Sequence, residues 1–94
     1  MKERTMAKET TQTEPIRITA IRSYLDKRPV HRLPEAIDLP TGPGVYDTGL
    51  SPAPQDLQQP GSIELGNGRR VIAIVSGQLD DRGRLTVLAG PRIL

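Results

Sequence analysis

Ser62-Ile63-Glu64-Leu65-Gly66-Asn67-Gly68-Arg69-Arg70-Val71-Ile72-Ala73-Ile74-Val75-Ser76-Gly77-Gln78-Leu79-Asp80-Asp81-Arg82-Gly83-Arg84-Leu85-Thr86-Val87-Leu88-Ala89 is the stretch that decides the fold. Three runs rich in β-branched and aliphatic residues are separated by two clusters of turn residues, which is the pattern of a strand meander. Asn67-Gly68 readily supplies the positive φ values of a two-residue hairpin loop. Asp80-Asp81-Arg82-Gly83 reads as a second, four-residue loop. With those loop lengths Ile63 opposes Ile72, Leu65 opposes Arg70, Ile74 opposes Ala89 and Leu85 opposes Gln78. One face then carries Ile63, Leu65, Ile72, Ile74, Leu85 and Val87 and is the expected core. The other carries Glu64, Val71, Ala73, Val75, Arg84, Thr86 and Leu88. Its central strand is still apolar, so a covering element or a partner is expected there.

Upstream of residues 62–94 the order is harder to read. Residues 34–61 hold Pro34, Pro40, Pro43, Pro52, Pro54 and Pro60 together with four glycines. This density forbids long regular elements and predicts an irregular segment, with Val45-Tyr46 as a short edge strand. Residues 15–33 admit two readings. Ile16-Arg17-Ile18-Thr19 alternates as a strand does, whereas Ile18, Ile21 and Leu25 follow helical spacing. A strand giving way to a turn or short helix is the expectation. Residues 1–14 are polar, with no apolar periodicity, and predict a disordered basic arm. The expected fold is therefore mainly β: a small three-stranded antiparallel meander or, with closure, a partial barrel, carrying a Pro/Gly-rich irregular segment and an extended N-terminal arm.

The composition narrows the function. The 94 residues include no Cys, no Phe and no Trp, and the aromatics are Tyr24 and Tyr46. A domain of this size buries only a little over ~60% of its unfolded surface, and without large rings its core is thin. No thiolate or disulfide framework exists, the longest apolar run is far short of a membrane span, and no apolar stretch follows the charged first residues as in a signal peptide. These features place the chain in the cytoplasm or within a particle or complex. The net charge of +2 is unevenly spread. Residues 1–33 carry eight cations against four anions, residues 34–68 carry five anions and no cation, and residues 69–94 carry five arginines against Asp80 and Asp81. Such blocks favour electrostatic partners or self-association.

Catalytic constellations are not found. His31 is the single histidine and sits among Arg28, Pro29 and Arg32, a cationic setting poor for a metal and without Cys ligands. It is expected as an exposed loop residue. Asp80-Asp81 is explained by turn chemistry. Gly66-Asn67-Gly68 is followed by no helix and no Lys-Ser/Thr, so it is no phosphate loop. Leu39-Pro40-Thr41-Gly42-Pro43-Gly44-Val45-Tyr46 resembles the opening strand of the GIY-YIG nuclease domain. That family then requires a second Tyr-bearing strand, a helical Arg and a metal-binding Glu. No Tyr follows Tyr46, so no nuclease function is implied.

The expectation is a non-enzymatic structural or assembly protein, without cofactor or metal, that docks on a protein partner or on itself. In style it is similar to accessory proteins of phage particles, such as capsid decoration proteins, which combine a loose arm with a small β domain. The candidate partner-binding residues are Val71, Ala73, Val75 and Leu88 on the second face, with Lys2, Arg4 and Lys8 in the arm. The alternative is a weak nucleic-acid binder that uses Arg69, Arg70, Arg82 and Arg84 at the strand ends. The absence of stacking aromatics from the sheet and the acidic middle segment count against it.

Overall fold

A computed structural model describes residues 16–39, 42–68 and 70–94. Among them six antiparallel strands form one sheet. In chain order these are β1 (Ile16–Ser23), β2 (His31–Leu39), β3 (Gly44–Asp47), β4 (Gly61–Gly66), β5 (Val71–Leu79) and β6 (Arg84–Ile93). They lie side by side in the order β2-β1-β4-β5-β6-β3. The expected meander is thus the centre of a wider sheet. Residues 16–23 take the strand reading rather than the helical one. The Pro/Gly-rich segment supplies the short edge strand expected at Val45-Tyr46, as β3, but it also contributes most of β2, a stretch expected to be irregular.

Chain connectivity forces the sheet to curl. β2 and β3 are its two outermost strands, yet only residues 40–43 join Leu39 to Gly44. Fully extended, that link reaches about 18 Å. Five strand spacings in a flat sheet cover about 24 Å. The sheet therefore closes into a half-barrel, and Pro34 of β2 packs against Gly49, just past β3. The concave side holds the core: Ile18, Ile21, Leu33, Leu39, Ile63, Leu65, Ala73, Val75, Leu79, Leu85 and Val87. A 3-10 turn at Gln55–Leu57 adds Leu57 and, just before it, Ala53 to this core. Each buried Leu, Ile or Val stabilises the fold by roughly 1.5–3 kcal/mol.

The expected register is wrong in one strand for two physical reasons. First, the β4–β5 hairpin closes on Asn67, whose N–H donates to the carbonyl of Arg70 at 3.1 Å. The turn thus sits one residue beyond Asn67-Gly68, which displaces the pairing by two residues. Second, a bulge between Leu65 and Gly66 displaces it by one more. A side chain at 66 would run into the Arg70 carbonyl, so this close approach requires glycine. Ile63 consequently faces Val75, not Ile72, and Leu65 faces Ala73, not Arg70. In the second hairpin Leu85 faces Leu79, not Gln78. The N–H of Asp80 donates to the Arg84 carbonyl, leaving a three-residue loop with Gly83 at φ +85°. An odd displacement inverts a strand's faces. Two of them, one at each end of β5, leave β4 and β6 as expected and turn β5 over. Ile63, Leu65, Leu85 and Val87 face the core as expected. In β5, Ala73 and Val75 face it and Ile74 does not, while Ile72, the extra residue at the bulge, packs against the core as expected.

Candidate partner-binding surface

The convex face is where side chains can meet a partner, and inversion of β5 redistributes the candidates for it. Ala73 (0% exposed) and Val75 (1%) lie in the core and leave the candidate surface. Val71 is half-buried at the end of β5. Leu88 is 63% exposed. It is the extra residue of a bulge in β6, since Gly77 pairs with Val87 and Ser76 with Ala89. Val45, on β3 opposite Thr86, is 62% exposed, so this end of the convex face presents two aliphatic side chains to water. Val71 stands at the opposite end of β5, so the four expected apolar residues do not form one patch. Lys2, Arg4 and Lys8 lie outside the described residues, as does Arg69. Arg70 is exposed beside the β4–β5 hairpin, whereas Arg82 and Arg84 are exposed at the β5–β6 hairpin. Nine residues of β5 separate these hairpins, about 30 Å of strand. The expected arginine set is split between two ends of the sheet.

Sequence reasoning missed an ionic cluster on the convex face. Across β1, β4, β5 and β6 run Arg22, Glu64, Ile74 and Arg92 in one row. Glu64 is 3% exposed, although its face points away from the core. Arg22 donates from Nε to Glu64 Oε1 at 3.0 Å, with its Nη2 also at 3.0 Å, and Lys27 Nζ lies 3.4 Å from Oε2. The segment 24–30 folds over this face. Arg22 Nη1 holds the Lys27 carbonyl at 3.3 Å, and the Lys27 ammonium stands 4.9 Å from the centre of the Tyr24 ring. A carboxylate withdrawn from water needs such partners. Nothing in the local sequence distinguishes Glu64 from an ordinary outward strand residue, because its cations lie about forty positions away.

His31 is not a loop residue: it opens β2, and its Nε2 stands 3.1 Å from both oxygens of Asp56. The contact ties β2 to the 3-10 turn that seats Leu57 in the core. The Thr48 hydroxyl donates to the Gly83 carbonyl at 2.7 Å, which pins the loop after β3 to the β5–β6 hairpin. Asp80 accepts N–H bonds from Arg84 and Arg82, both at 2.9 Å. The backbone bond from Arg84 chiefly holds its carboxyl below the usual value. Among the described residues no group of three or more His, Cys, Asp or Glu side chains could hold a metal ion, and no helix is long and apolar enough to cross a membrane. Compared with protein-family models, curated proteins and solved structures, the chain finds no match.

Proposed function

We propose that this chain is a non-catalytic structural or assembly protein that docks into a larger protein complex, using the Val45–Leu88 end of its convex face. The observation that carries the reading is the pair of aliphatic side chains, Val45 and Leu88, held in water there. The free strand edges support docking by side chains rather than by strand addition. Pro34 interrupts β2, Pro43 immediately precedes β3, and Pro91 lies in the part of β6 beyond its pairing with β3. Proline on an edge removes a donor and discourages edge-to-edge pairing. The separation of Arg70 from Arg82 and Arg84 favours this reading over phosphate recognition.

Leu88→Lys tests the proposal. As an exposed change it should alter stability by no more than about 0.5 kcal/mol. Circular dichroism and melting should therefore match the parent. In native extracts of producing cells the parent should migrate in gel filtration with a species much larger than itself, and the variant at its own mass. A folded variant that still co-migrates overturns the reading. So does salt-sensitive oligonucleotide binding by the parent tighter than ~1 μM at physiological salt.

A further inference from the structure

We infer that a recess on the convex face, at the Gly66–Arg70 end of the sheet, is a binding site for a carboxylate attached to a short, branched apolar body. The recess encloses about 320 Å³, at the small end of the range for ligand sites. Its floor is made by Ala20 and Gly66, paired across β1 and β4, which leave the backbone nearly bare. Val30 and Val71 supply apolar walls, and Arg22 and Arg70 supply cations.

The chemistry of the two arginines selects the ligand. Arg22 donates its Nε N–H to Glu64 and one Nη1 N–H to the Lys27 carbonyl, while Nη2 stands at ion-pair distance from Glu64. A guanidinium has five N–H groups, so each terminal nitrogen keeps at least one N–H for a ligand. That pair suits the two oxygens of a planar carboxylate. Glu64 and the Lys27 carbonyl hold the guanidinium in place before any ligand arrives, which lowers the ordering cost of binding. The charges here favour an anion. Glu64 is shared between Arg22 and Lys27, and Arg70 makes no ion pair among the described residues. The valine walls favour a branched aliphatic body over a bare inorganic ion. This site is separate from the Val45–Leu88 end and does not depend on its having a partner.

The test is an amide NMR titration of the full chain with isovalerate, its neutral analogue isovaleramide, and inorganic phosphate. Isovalerate should give saturable shifts at Gly66, Gly68 and Val71. Isovaleramide and phosphate should bind at least about tenfold more weakly, the loss expected when a charge-assisted hydrogen bond or the apolar contact is missing. Arg70→Ala, an exposed change that leaves the Glu64 cluster intact, should weaken isovalerate binding by about tenfold or more. Arg28→Ala, which removes an exposed cation outside the recess, should leave it unchanged. Absence of saturation by roughly 10 mM, equal binding of the amide or of phosphate, or equal losses in the two arginine variants would overturn the assignment.

Discussion

The concave and convex faces of β4 and β5 are both withdrawn from water, but by different means. On the concave side Ile63, Leu65, Ala73 and Val75 interdigitate with aliphatics from β1 and β6. On the convex side Glu64 and Ile74, 3% and 9% exposed, form the middle of a row that Arg22 and Arg92 complete. The first face is held by contact between apolar surfaces, which tolerates many residue combinations of similar volume. The second is held by one carboxylate and its specific partners. An ionic cluster of this kind contributes little net stability when intact but costs a great deal when one member is removed.

Three substitutions bear on this contrast. Val75→Asp should have the largest effect, because it puts an unpaired charge into the concave core. The expected outcome is an unfolded chain by circular dichroism. A folded variant would mean that β5 has the opposite face inward and would erase the distinction. Arg22→Ala should cost roughly 3 kcal/mol in denaturant unfolding, since it leaves Glu64 withdrawn with Lys27 as its remaining described partner. Adding Glu64→Leu to Arg22→Ala should recover much of that loss by removing the stranded charge. A double variant no more stable than the single one would show that the convex face is held by packing, as the concave face is.

The smallest effect is expected at the β5–β6 hairpin, where a carboxylate is exposed rather than buried. The folded-state pKa of Asp80 lies below its ordinary 3.8, chiefly because the N–H of Arg84 bonds to the charged form. Its contribution to stability is therefore present above pH 3.8 and is lost as pH falls through the lower folded value. Asp80→Asn should melt slightly below the parent at neutral pH, and the two melting temperatures should converge below pH 3.8. A gap that stays constant down to the acid limit would remove the carboxylate's charge from the account of this turn.

How much of this was legible follows from what each signal encodes. Turn residues marked both hairpins, and alternation assigned the inward faces of β4 and β6. Val71-Ile72-Ala73-Ile74-Val75 is apolar at every position, so alternation carries no information about which side of β5 faces in. Only the hairpin registers could decide it, and each differed from the expected form by an odd displacement, three residues with turn and bulge together at the first hairpin and one at the second. The density of prolines in residues 34–61 hid β2, whereas Val45-Tyr46 reads as a short edge strand and forms β3. Both are edge strands, where a missing N–H costs no pairing on the open side. Of the candidate surface, Leu88 was found by alternation on β6. The recess and the Glu64 cluster were not found, because they join residues from β1, the 24–30 segment, β4 and the start of β5.

The sequence by itself determined the antiparallel β character, the two hairpins, an aliphatic core and the absence of thiol chemistry. Those are consequences of residue type and short-range spacing. The tertiary structure decided that the meander is the middle of six strands and that the sheet curls, because a four-residue link must join its two outer edges. It also decided that Ala73 and Val75 are core while Leu88 is exposed, and that a glutamate on the outward face is buried. Each depends on which distant strands come together, and a one-residue bulge is enough to exchange inside for outside.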